Sequence, residues 1–122
     1  PTIGPVTSLL PDAPRIPKSD FSCCGDEKIM KALKAAGRRQ VLLCGIETHV
    51  CVYQTAVDLL GFGYDVHVVA DAVSSRTSLN RKIGIEKMRD EGARLASTEM
   101  VLFELVRTAD DPKFKEIFKI VK

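Results

Sequence analysis

Apolar residues follow two alternating rhythms along this chain. Residues 41–46 (VLLCGI) are apolar at every position except Gly45, and residues 65–70 (DVHVVA), apolar but for Asp65 and His67, read as a second buried strand. Short continuous apolar runs mark strands covered on both faces, the habit of parallel sheets. Residues 93–96 read as a third, shorter strand. Between these runs the spacing changes to three and four. Asp26 is placed to cap a helix with Ile29, Leu33 and Ala36 on one face, closed by Gly37. Val52, Ala56, Leu59 and Leu60 predict a helix over 51–60, with Gly61 and Gly63 at its end. Thr77 or Ser78 caps a helix running to Glu91, with Leu79, Ile83 and Met88 inward and Gly92 after it. Ser97 or Thr98 caps another, with Val101, Leu102, Leu105 and Val106 apolar. Asp111 and Pro112 read as the N-cap and first position of a last helix bearing Phe114, Ile117, Phe118 and Val121. Its lysines, 113, 115, 119 and 122, read as a solvated face.

Alternating buried strands and helices predict an α/β fold: a three-layer α/β/α, Rossmann-like domain with a mainly parallel sheet over residues 1–122. In such sheets ligands bind beyond the carboxyl ends of the strands, where strand order reverses. The first seventeen residues hold five prolines (Pro1, Pro5, Pro11, Pro14, Pro17) and read as loop, because proline fixes φ and removes a ladder donor.

Composition narrows the function. At 122 residues the chain has the size of one domain. Its net charge is only +2 with the signs interspersed, which gives no electrostatic case for nucleic acid or an anionic membrane. No apolar run approaches the length of a membrane span. Four cysteines stand at 23, 24, 44 and 51 without a C-x-x-C pair, so neither a structural metal site nor another cofactor is expected. Cys44 reads as a buried free thiol within its strand. The pattern suits a reducing, cytoplasmic compartment.

Cys51 is the candidate for chemistry. It falls where the strand over 41–46 gives way to helical spacing. Unpaired N–H groups and the positive end of a helix dipole favour an anion there, and thiolate is the nucleophilic form of cysteine. The bland alternative is a small buried hydrophobe. A phosphatase-type C-x5-R loop would need Arg at 57, where Val57 stands. A papain-like enzyme needs a histidine base, and only His49 and His67 exist. His67 lies in an apolar strand and reads as a core or rim histidine. His49 shares the turn with Cys51 and is placed to line a pocket.

The run GIETHVCVYQTA, residues 45–56, resembles the cysteine loop of the isochorismatase-like hydrolases, a superfamily that includes nicotinamidases and N-carbamoylsarcosine amidohydrolases. Lys18, followed by Phe21 and Ser22, resembles the segment carrying that family's catalytic lysine. The run DAVSSR, residues 71–76, resembles the stretch after the next strand. The sequence also resembles the isochorismatase domain-containing proteins. The resemblance implies that Cys51 is a nucleophile supported by Lys18. It also implies that the Cys51 and Glu47 amides form an oxyanion hole, with a cis peptide at Ile46–Glu47. His49 and Phe21 are then expected to contact a small-molecule substrate, and the protein to be a homo-oligomer. The family's catalytic aspartate ends a first strand upstream of the lysine block, and no counterpart is legible here. The chain is therefore expected to be the C-terminal two-thirds of a domain, with the outer edge of the 41–46 strand unpaired. A non-catalytic binding or interaction module stands as the alternative.

Overall fold

The computed structural model describes residues 2–121. Its elements are α1 (Gly4–Leu9), α2 (Glu27–Ala35), β1 (Gln40–Ile46), α3 (Tyr53–Gly61), β2 (Asp65–Ser74), α4 (Ser78–Asp90), β3 (Arg94–Ala96), α5 (Thr98–Val106) and α6 (Phe114–Ile120). A 3-10 turn (Cys23–Gly25) precedes α2, and a π-helical turn (Thr48–Val52) joins β1 to α3. The three strands form a parallel sheet in the order β1-β2-β3. This is the expected Rossmann-like α/β/α class, and β1 is an edge strand among the described residues.

The caps form as read. Asp26 accepts the amides of Lys28 and Ile29, Thr77 that of Asn80, and Ser97 that of Met100. Each satisfies donors that the first turn of a helix leaves free. Gly37, at φ +63°, turns the chain after α2 in a conformation that disfavours a side chain. The core joins α3 (Val52, just before it, Ala56 and Leu59), β2 (Val66, Val68 and Val73) and Met88 of α4.

Several expectations are corrected. The proline-rich start contains a helix, α1, because Pro5 occupies the first turn, where its missing N–H costs nothing. Thr7 and Ser8 also return hydrogen bonds to the Gly4 carbonyl. Leu79 and Ile83 are exposed, and the buried face of α4 is Gly84 and Met88. Helical spacing names two apolar faces on this helix, and only packing selects one. The last helix begins at Phe114, with Asp111 accepting the Lys113 amide in the turn before it. Cys44 is exposed. Residues 42, 44 and 46 share one face of β1, and nothing among the described residues covers it, while Val41 and Leu43 on the other face pack against the core.

The partnership of β1 and β2 is interrupted. Leu43 pairs with Val68, but Gly45 pairs with Val73, so β2 bulges between. Arg81 of α4 closes the bulge, donating from Nε to the Val73 carbonyl at 2.9 Å and from Nη2 to the Ala70 carbonyl. Bulges re-aim a strand near functional sites. Here the bulge aims residues 74–76 at the turn after β1.

Candidate functional site

The turn bearing Cys51 is fixed from three sides. It is not the plain helix start that spacing suggested. The amides of Val50 and Val52 both donate to the Glu47 carbonyl, at 3.1 and 3.2 Å, and the α-helix proper begins at Tyr53. π-helical turns are rare and are frequent at functional sites. Beneath the turn, Thr48 is fully buried and donates from Oγ1 to the Ser74 carbonyl at 2.8 Å. Beside it, Gly84 presses on the backbone: a Cβ there would lie 3.0 Å from His49 N and Cα. Cys51 itself is half-buried.

The third side is the segment 74–76. His49 Nδ1 lies 3.0 Å from Ser75 Oγ. Glu47 Oε2 accepts the Arg76 amide at 3.1 Å and Arg76 Nε at 3.4 Å, with His49 Nδ1 at 3.8 Å. Glu47 thus faces two cationic or cation-capable groups. The Ile46–Glu47 peptide is cis, as the resemblance implies.

The lysine block approaches from the other direction. Lys18 Nζ donates to the carbonyls of Asp20 (2.7 Å) and Phe21 (2.8 Å), so the ammonium folds its own loop and uses two of three donors. That loop is tied to α3: the Cys23 amide donates to Thr55 Oγ1 at 2.9 Å, and Thr55 is buried one helical turn beyond Cys51. Ser22, also buried, accepts the Cys24 amide and shapes the 3-10 turn. The structure therefore bonds residues 74–76 to the turn that carries Cys51, and the Cys23 end of the lysine block to α3 one turn beyond it. Phe21 is exposed.

The other candidates separate. His67 lies at the opposite end of the sheet, with Nε2 3.3 Å from Asp65 Oδ2, an ion-pair distance off the line of a good hydrogen bond. His67 holds the Asp65 carboxyl below its ordinary value, and Arg94 adds to this. Burial pushes the Cys24 thiol up, which disfavours it as a thiolate. Asp71 caps α5 from outside, accepting the Thr98 amide at 2.8 Å, which holds its carboxyl low. Sequence reasoning missed Thr55, Ser75 and Gly84. A glycine inside a helical pattern was the one available signal, since it costs about 1 kcal/mol against alanine and so marks a close approach.

An α/β sheet with a fixed cysteine turn at a strand's carboxyl end defines a class: a Rossmann-like domain with a cysteine loop. Residues 2–100 match the isochorismatase domain, and the chain belongs to the isochorismatase-like hydrolase family. It is 46% identical over 125 residues to the secreted isochorismatase effector Isc1 of Phytophthora sojae, a match covering 99% of this chain and 60% of that protein. It is 43% identical to isochorismatase domain-containing protein 2 of Xenopus laevis, covering 98% of this chain and 59% of that one. Among solved structures, the YcaC gene product of Escherichia coli, described as an octameric hydrolase of unknown specificity, superposes with a TM-score of 0.89 at 30% identity, over 97% of this chain and 59% of that one. The MAR1 ribonuclease of Caenorhabditis elegans superposes with a TM-score of 0.78 at 44% identity, over 85% and 53%. The chain thus spans about 60% of the length of Isc1 and of the Xenopus protein. Among the described residues no helix is long and apolar enough to cross a membrane.

Proposed function

We propose that this domain is a cysteine hydrolase of a small amide or related C–N bond. One observation carries the reading. The half-buried Cys51 sits in a turn held by Thr48, Gly84 and residues 74–76, and the Lys18 loop is bonded to the helix that follows. A turn braced in this way suits a nucleophile, which needs a fixed line of attack.

In the proposed reaction the Cys51 thiolate attacks the amide carbonyl carbon. The oxyanion takes hydrogen bonds from the Cys51 and Glu47 amides. The C–N bond breaks, the amine leaves with a proton from an acid, and a thioester remains. Water adds to that carbonyl, the C–S bond breaks, and a carboxylic acid and the thiol are released. Lys18 stabilises the thiolate by charge through its remaining donor. His49, anchored on Ser75, and the exposed Phe21 contact the substrate.

The proton carrier is the part these residues do not supply. We propose that an aspartate on a strand pairing with the bare edge of β1 fills this role, which makes the 122 residues part of a larger domain. Four free thiols support a reducing, cytoplasmic setting. The octameric description of YcaC supports homo-oligomerisation. A net charge of +2 supports a small substrate over RNA.

Ammonia release from a panel of small primary amides by the full-length protein tests this, with intact-mass detection of the acyl-enzyme. Cys51→Ala and Lys18→Met should abolish turnover with the fold retained. Undiminished turnover by Cys51→Ala would exclude the mechanism.

A further inference from the structure

We propose that the amino-terminal end of the sheet carries a second binding site, for a small aromatic carboxylate. The site does not rest on the cysteine reading. It is an open cavity of about 680 Å³ between the end of α2, the start of β1 and the turn from α3 into β2. That size is within the usual range for small-molecule pockets. Cys51 follows the other end of β1, about 20 Å away at 3.3 Å per strand residue.

The lining pairs two chemistries. Leu33, Phe62 and Tyr64 give an apolar wall, and Phe62 is exposed, a large ring left without cover. Lys34, Arg38 and Arg39 give three cations, and no carboxylate lines the cavity. Among the described residues none of the three forms an ion pair. The dipole of α2 accounts for Lys34, which sits in its last turn. It does not account for Arg38 and Arg39, which lie beyond Gly37. Arg39 Nη2 donates to the Gly63 carbonyl at 3.4 Å, which joins the two lips of the cavity and leaves most of its fork open. Guanidinium groups bind carboxylates in paired hydrogen bonds and stack on aromatic rings. An anion with a flat apolar body satisfies both halves of this wall. An inorganic anion satisfies one half, and a neutral ring the other.

The test uses 2-naphthoate as the probe and the full-length protein. Naphthoate emission is read with excitation on the long-wavelength side of the protein's own absorption. Saturable binding is expected, with 2-naphthalenemethanol and acetate each at least tenfold weaker. Arg38→Gln and Phe62→Ala should each weaken naphthoate about tenfold, with circular dichroism and any hydrolase activity unchanged. Phe62→Leu, which keeps the turn apolar, should lose less than Phe62→Ala. Blocking Cys51 with iodoacetamide should leave binding intact. Equal binding of the neutral alcohol, indifference to both Arg38→Gln and Phe62→Ala, or loss of binding on blocking Cys51 would each overturn the proposal. The last would move the ligand to the cysteine turn.

Discussion

β1 and β2 have nearly the same kind of sequence and different surroundings. Val66 and Val68 of β2 are 1% and 0% exposed, while Leu42 and Ile46 of β1 are 49% and 69% exposed. β1 is apolar on both faces from Val41 to Leu43, and β2 is apolar from Val66 to Ala70 except at His67; such runs are the habit of strands buried on both sides. β2 has a strand on each side and helices packed on it, whereas β1 has β2 as its one strand neighbour among the described residues and meets the core only through the face of Val41 and Leu43. The difference teaches that an apolar strand records the environment it is built for. On that argument the bare side of β1 is made to be covered. An open parallel edge is otherwise a template for aggregation. The carboxyl end of the same strand is the opposite case. There every turn residue from 47 to 49 has a named partner, and this is where the cysteine stands.

Truncation of the two strands breaks or sharpens this contrast most strongly. Val68→Ala should cost about 1.5–3 kcal/mol in denaturant melts, the worth of a fully buried valine. Leu42→Ala should cost less than about 1 kcal/mol if its face stays open. In the full-length protein, a Leu42→Ala cost rising into the range of about 2–5 kcal/mol typical of core leucines would identify a covering segment.

Gly84→Ala moves to the braced end of the sheet. Its Cβ would meet backbone, which cannot swing aside. A loss of about 1–3 kcal/mol is expected, as for other overpacked sites, together with a lower turnover number. An alanine variant as stable and active as the parent would contradict the close packing of α4 on the cysteine turn.

A smaller effect is expected at Thr55. Thr55→Val keeps the shape and deprives the Cys23 amide of its acceptor, which should cost about 1 kcal/mol. The sharper readout is catalytic: turnover should fall more than substrate affinity, and Thr55→Ser should restore it. No rescue by serine would reduce Thr55 to a packing residue.

The smallest effect is a pH dependence at Asp71. Its folded pKa lies below the ordinary 3.8 because the charged form accepts the Thr98 amide. A lowered folded pKa gives stability that is complete above the unfolded value and lost as pH falls through the folded one. Asp71→Asn should therefore be less stable than the parent above pH 3.8, with the gap closing below it. A gap independent of pH would mean that the carboxylate charge plays no part in capping α5.

What the sequence made legible follows the same divide. Strand–helix alternation and the caps at Asp26, Thr77 and Ser97 are local, because one side chain bonds amides two or three residues away. The location of Cys51 after a strand was legible for the same reason. The π-helical turn was not, since it depends on a carbonyl five residues back and on Thr48 reaching β2. The partners of Glu47 and His49 were also hidden, because the bulge in β2 decides which residues face the turn. Leu79 and Ile83 misled because helical spacing gives a face without saying what it meets.

Cysteine reactivity in the folded and unfolded protein tests the central claim most directly. Iodoacetamide labelling followed by peptide mapping gives a rate for each of the four thiols. Cys44 is exposed and Cys51 only half-buried, so exposure alone puts Cys44 first. If Cys51 is an activated nucleophile, it should react faster than Cys44 in the folded protein and slow down on denaturation, while Cys23 and Cys24 speed up. A Cys51 that trails Cys44 when folded and speeds up on unfolding like the others would contradict the account.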